Sequence, residues 1–123
     1  MRCAVALGAL LSVVSVVPAA AGKVDSGVRG TVTMGPTKPV CRVDEPCSRP
    51  YAARVVVRNA RTGQRVRVVY SDEHGRFRVR LRPGRYRLRA IGDRPVPSCQ
   101  AVSARVRRHR FTRVSLDCDT GIR

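Results

Sequence analysis

The residues that could carry reaction chemistry are few and poorly spaced for it. His74 and His109 are the two histidines of the chain. Neither opens an H-x-x-E pair of the kind that places a zinc ligand beside a catalytic carboxylate, and neither is spaced with a cysteine as a zinc ligand would be. Ser71, Asp72 and His74 have the residue types of a nucleophile, an orienter and a base. They crowd into one tight turn, where they cannot line up in those roles, so their side chains are expected to serve the turn itself. Asp117 and Asp119 flank Cys118 and are expected to offset neighbouring arginines. These spacings give no catalytic residues, no metal site and no cofactor, and the chain is expected not to be an enzyme.

Cysteine offers structural chemistry instead. Beyond Cys3 the cysteines are Cys41, Cys47, Cys99 and Cys118, with no C-x-x-C pair among them. An even set of this kind in an oxidising compartment implies two disulfides. Four cysteines allow three pairings, and the spacing favours Cys41 with Cys47, inside one Pro-rich loop, and Cys99 with Cys118. The second pair flanks a candidate terminal hairpin in which Val102, Ala104 and Val106 face Thr112, Val114 and Leu116. In that register Cys118 falls opposite Gln100, one position from Cys99, so the hairpin needs a bulge or must fray near Pro97.

The chemistry present in quantity is that of guanidinium. Lys+Arg number 25 against 8 Asp+Glu in 123 residues, a formal charge of +17, and all but Lys23 and Lys38 are arginine. Codon usage can favour Arg over Lys, but it does not account for the shortage of acids. A small domain so charged repels itself and attracts polyanions, and arginine forks suit phosphate and carboxylate. Hydrophobic residues make up 43% of the chain, too many for a disordered polybasic tail. With no Trp and 4% aromatic residues, the core must be built from Val, Leu and Ala.

The elements that position these side chains begin after a leader. Arg2, the apolar run from Cys3 to Val17 and the small residues Ala19 to Ala21 read as a secretory signal peptide over 1–21, cleaved to leave a single domain over 22–123. The run is shorter than the roughly 18 to 20 residues a membrane anchor needs, and no later stretch could span a bilayer. Cleavage removes Arg2 and no acid, so the mature chain is denser in charge. Its apolar residues then alternate with a period of two: Val28, Val32 and Met34; Val55 and Val57; Val66, Val68 and Tyr70; Phe77, Val79 and Leu81; Tyr86, Leu88 and Ala90; then the terminal pair. Asn59 to Gln64, with Thr62-Gly63, should join the second and third runs as a hairpin. Gly35 to Pro50, with its four prolines, is a loop tied down by cysteines. The expected fold is all-β, a seven-stranded antiparallel β-sandwich of Greek-key type.

Two turns sharpen this. Ser71-Asp72-Glu73-His74-Gly75-Arg76-Phe77 delivers a strand from a tight turn in which Gly75 can take a positive φ. Leu81-Arg82-Pro83-Gly84-Arg85-Tyr86 is a Pro-Gly turn of type II kind. With Gly27-Val28-Arg29-Gly30-Thr31-Val32 and Val55-Val56-Val57 ahead of Thr62-Gly63, these patterns resemble the carboxypeptidase regulatory-like domain of the transthyretin-like sandwich group, over about Gly27 to Ala90. The Gly35-Pro36 to Cys47 stretch and the terminal Asp119-Thr120-Gly121-Ile122-Arg123 resemble small secreted actinobacterial proteins that carry this domain alone. The resemblance implies a sandwich and a non-catalytic role beside peptidases, surface proteins or glycan-acting enzymes. It brings no functional residues. A purine-pathway hydrolase shares a related fold but relies on histidines and a C-terminal tetrapeptide that this chain lacks.

Register alone would fold Phe77–Leu81 and Tyr86–Ala90 into a hairpin. The resemblance implies instead a corner crossing from one sheet to the other, and the twist of a type II turn favours the corner. Arg76, Arg78, Arg80 and Arg82 alternate with the core of one strand, and Arg85, Arg87 and Arg89 with that of the next. A hairpin gathers them on one face, where like charges directly across are destabilising; a corner spreads them over two. Arg76, Arg78, Arg80, Arg85, Arg87 and Arg89 are therefore the candidate anion-binding residues. Partners expected for an exported or wall-associated chain are anionic cell-wall or membrane-surface polymers, such as teichoic-acid or phospholipid phosphates and acidic glycans. DNA binding would be incidental, because no recognition helix is expected and Phe77, Phe111, Tyr51, Tyr70 and Tyr86 mostly fall on core positions or in loops. Alternatives are a carbohydrate-binding module of starch-binding-like fold, disfavoured by the lack of Trp, or a structural or regulatory partner of another exported protein. Val56, Val69 and Ile91, at nominally outward positions, hint at a covered patch.

Overall fold

A computed structural model describes Gly8 and residues 24–123; the rest of the expected signal peptide lies outside the described residues. The alternating runs become extended strands because their apolar sides must meet a second apolar layer. In chain order these are β1 (Gly27–Gly35), β2 (Arg49–Pro50), β3 (Arg54–Asn59), β4 (Arg65–Tyr70), β5 (Arg76–Arg80), β6 (Gly84–Ile91), β7 (Ser98–Cys99), β8 (Val102–Val106) and β9 (Phe111–Asp119). Seven are full strands and two, β2 and β7, are two-residue edge pairings. The expected β-sandwich is what forms. In the first sheet β1 lies between β9 and the shared edge of β2 and β5, with β7 outside β9; the second runs β4-β3-β6-β8.

Between the sheets, Val28, Val32 and Leu116 from one side meet Val55, Val57 and Leu88 from the other, all six with no measurable exposure. Each such side chain contributes on the order of 1.5–3 kcal/mol through burial. The Ser71–Arg76 turn docks on this core through Gly75. That residue has φ 73°, its carbonyl accepts the Val32 amide at 2.7 Å, and a side-chain carbon there would overlap the Val32 carbonyl.

The chain switches sheets at Pro83-Gly84, since β5 pairs with β1 while β6 pairs with β3 and β8. The corner is therefore correct, but it is not a type II turn: Gly84 has φ 158° and already pairs with Val106 as the first residue of β6. Tyr86 staples it, its Oη donating to the Arg82 carbonyl at 2.7 Å. The β3–β4 hairpin also forms as expected, closed by the Asn59 amide on the Gln64 carbonyl at 2.9 Å.

The terminal hairpin does not form. β8 pairs with β6, whereas β9 runs parallel to β1 along its whole length. Ala104, Val106 and Leu116 are buried in the core and Val102 and Val114 pack against it, but the two sets come from opposite sheets. Alternation sets which side of a strand is greasy and is silent about its neighbour. With β7 as a separate short strand, Cys99 lies directly opposite Cys118, so the expected register mismatch disappears. Both disulfides, Cys41–Cys47 and Cys99–Cys118, are present, with Cα–Cα distances of 5.6 and 4.1 Å.

Strand β4 is turned over relative to expectation. Val55 pairs with Val69 and Val57 with Arg67, so Val69 and Arg67 hold the inward positions. Val56 pairs with Val68 and Arg54 with Tyr70 on the outer face. Val69 packs against the core, and Tyr70 stands 73% exposed. The strand is apolar at 66, 68, 69 and 70, so alternation could not choose between its faces, and a bulge at Val57/Arg58 shifts its far end again. Arg67 is an inward-pointing, exposed charge on an edge strand, a device that discourages edge-to-edge pairing.

Candidate anion-binding surface

Because Tyr86, Leu88 and Ala90 turn into the core, Arg85, Arg87 and Arg89 must turn outward on the second sheet. Arg76, Arg78 and Arg80 turn outward on the first sheet in the same way. The six candidate residues therefore do not share a surface; the Pro83-Gly84 corner sends three to each side of the sandwich. Other strands fill in around each trio.

On the first sheet, Arg29 sits across from both Arg78 and Arg113, and the Arg78 guanidinium carbon lies 4.0 Å from the centre of the Phe111 ring. Phe111 is thus on an outer face and is engaged by a cation. Further along, Thr33 donates to Asp117 at 2.7 Å, so this face carries carboxylates at one end.

The outer face of the second sheet carries none. Strands β3, β4, β6 and β8 contain no Asp or Glu, and apart from the inward Arg67 their arginines stand at 54, 58, 65, 85, 87, 89 and 105. Like charges meet directly, Arg58 across from Arg87 and Arg85 across from Arg105. Such pairs oppose folding unless an anion lies between them. Two of the cations are held in place: Arg58 Nη1 donates to the Gly63 carbonyl and Arg89 Nε to the Cys99 carbonyl, each at 3.1 Å. Together with Arg87 they surround a depression of about 410 Å³ floored by Val56 and walled by Ile91 and Ala101. Val56, at 5% exposure, is covered as expected for that patch; Ile91 is half-buried on the same face, and Val69 belongs to the core instead. In rows across the sheet, Tyr70–Arg54–Ile91 comes first, then Val68–Val56–Arg89, then Arg58–Arg87. Strands lie about 4.8 Å apart and same-side residues about 6.8 Å along a strand, so the guanidinium stems form a lattice at the scale of a polymer's repeating charges.

Most of the acids are occupied elsewhere. Ion pairs of the described residues are Lys38–Glu45, His74–Glu73, His109–Asp25 and Arg123–Asp119, so one arginine among them, Arg123, has a carboxylate partner. Residues 1–23 contain no acid that could add to these pairs. The hydrogen bond from His109 holds the Asp25 carboxyl below its ordinary pKa. Asp72 is lowered by the backbone amide of Arg76 and then that of His74, both 2.9 Å from its Oδ1. Asp119 is lowered chiefly by the Gly121 amide. Ser71 is buried, donating to the Tyr51 carbonyl at 2.7 Å and accepting the Ala53 amide at 2.8 Å. The Ser71 and Asp72 side chains thus hold the turn, while the His74 ring lies exposed beside Glu73.

A cleft of about 710 Å³ opens beside this face, lined by Tyr51, Arg54, Tyr70, Ile91, Asp93 and Arg94 among others. Sequence reasoning missed it because it placed Tyr70 in the core. The clue available was the apolar Val68-Val69-Tyr70 run, which cannot lie wholly on one side of a strand.

No family model and no curated protein matches the chain. Among solved structures it is similar to the Bacillus anthracis TIE protein, at 15% identity and a TM-score of 0.47, covering 74% of this chain and 16% of that one. It is also similar to GBS52, the minor pilin of the Gram-positive pathogen Streptococcus agalactiae, at 15% identity and a TM-score of 0.47, covering 76% of this chain and 45% of that one. The chain thus spans less than half the length of either.

Proposed function

We propose that this is an exported, non-enzymatic accessory module of the carboxypeptidase regulatory-like kind, which holds anionic cell-envelope polymers on the outer face of its second sheet. The observation that carries the reading is the acid-free lattice of that face, in which Arg58 and Arg89 are fixed by backbone carbonyls around Arg87. Cations placed directly across from one another are stabilised when a polyanion enters, and cations already held by the backbone lose little freedom in binding it. The two disulfides fit an extracellular location.

The test compares two triple variants that remove equal charge from opposite sides of the sandwich, Arg58/Arg87/Arg89→Ala and Arg29/Arg78/Arg113→Ala, using linear polyphosphate as probe. Each lost phosphate contact lowers the slope of log affinity against log salt by roughly 0.7–0.9. The first variant is expected to lose about two to three units of slope and the second less than one. Equal loss from both would mean that net charge, not a surface, holds the polymer. Wild-type binding that ignores salt would reject the electrostatic reading altogether.

A further inference from the structure

Tyr70 is the anomaly of the arginine face. In a chain with 4% aromatic residues, strand β4 gives the core Val69 and leaves the tyrosine ring 73% exposed. That ring sits in one cross-strand row with Arg54 and Ile91, so an apolar surface and a guanidinium stand side by side. The row borders the cleft of about 710 Å³, which adds Tyr51, Arg94 and the Asp93 carboxylate. This volume lies within the range of small-ligand sites, where apolar walls and a few convergent polar groups set orientation. Cleft and arginine depression both have Ile91 in their walls, so one extended ligand can run from the first into the second.

A bare polyphosphate could meet Arg54 and Arg94 in the cleft but has no apolar face to lay against Tyr70 or Ile91. A sugar ring has one. Its C–H-bearing side can cover an aromatic face while its hydroxyls reach Asp93 and backbone groups, and an acidic substituent would meet Arg54 or Arg94. The next acidic groups along the chain would fall on Arg89, Arg87 and Arg58. Building on the anion-binding reading above, we propose that the ligand is an acidic glycan, with one sugar ring seated against Tyr70 in this cleft and its neighbours along the arginine lattice.

The experiment measures binding of the processed protein to polygalacturonate, a carboxylated sugar polymer, and to linear polyphosphate, which has no sugar. Both are run at one fixed salt concentration with wild type, Tyr70→Ala and Tyr70→Phe. Tyr70→Ala is expected to weaken polygalacturonate binding about two- to tenfold, the range of one aromatic contact, while polyphosphate binding stays within about twofold. Tyr70→Phe keeps the ring and is expected to retain glycan binding. Because Tyr70 is exposed, both variants should melt like wild type. If Tyr70→Ala changes both polymers equally, or neither, the glycan proposal is wrong and the electrostatic surface stands. If wild type binds neither polymer at low salt, the surface reading fails and takes the glycan with it.

Discussion

Replacing Tyr86 by phenylalanine removes a single oxygen, the one that ties the corner between the two sheets. The hydroxyl donates to the Arg82 carbonyl four residues upstream at 2.7 Å, and the side chain is 7% exposed. An ordinary hydrogen bond contributes about 0.5–1.5 kcal/mol, and an acceptor left buried without its partner costs about 1–3 kcal/mol. The bond is only partly buried, so water can reach the freed carbonyl and the loss should lie near 1–1.5 kcal/mol. For a domain of about 100 residues, each kcal/mol shifts the thermal midpoint by about 4–8 °C, giving an expected fall of about 4–12 °C. Urea unfolding of the oxidised protein supplies the free energy directly, with an unchanged m-value showing that the same surface is exposed. Tyr86→Ala, which also empties the ring's place in the core, should cost about 3–5 kcal/mol. A Tyr86→Phe protein within about 0.3 kcal/mol of wild type would refute the hydroxyl's role, since a mobile corner would gain nothing from a staple.

Cys99 and Cys118 are both buried while Cys41 is exposed. Changing the first pair to alanine should therefore cost about 3 kcal/mol or more in urea unfolding, and changing Cys41 and Cys47 should cost less. Gly75→Ala combines a left-handed backbone with overlap on the Val32 carbonyl and should destabilise by at least about 2 kcal/mol, or prevent folding. Asp25, Asp72 and Asp119 have folded pKa values below their ordinary ones, so their contribution is fully present above about pH 4 and is lost as pH falls through the folded values. At constant ionic strength the urea midpoint should hold from pH 7 to 5 and decline below about 4. Asp72→Asn should make that acid limb shallower; an unchanged limb would show that the Asp72 carboxylate plays no part in it.

Much of this architecture was legible because particular residues have a single physical use. Thr62-Gly63 between two Val-rich runs could only be a hairpin, and Pro83-Gly84 marked the corner, although the type II geometry expected of it does not form. The proline-rich loop and both disulfides were legible from composition and spacing. Strand partners were not. β8 and β9 have the alternation of a hairpin, yet His109, at φ 60°, lies in a turn that hands the chain to the opposite sheet. The arginines were legible one by one, but their grouping into two opposed sets, and the choice of the acid-free one, depend on the corner and on which strands flank β6. Tyr70 was assigned to the core because β4 has apolar residues enough for either face. A bulge and the pairing of Val55 with Val69 decided the matter, and neither leaves a local mark in the sequence.

The parallel union of β1 and β9 ties together stretches 84 residues apart, as the Thr33–Asp117 bond illustrates. A polypeptide delivered amino end first meets a delay built into its own topology: β1 waits, with one flank open, until β9 has arrived. Loop-closure entropy makes such late, distant pairings slow. Throughout that wait the crowd of unneutralised guanidinium groups keeps the nascent coil expanded and its copies apart, so the charge that suits the finished surface also guards the unfinished one against clumping.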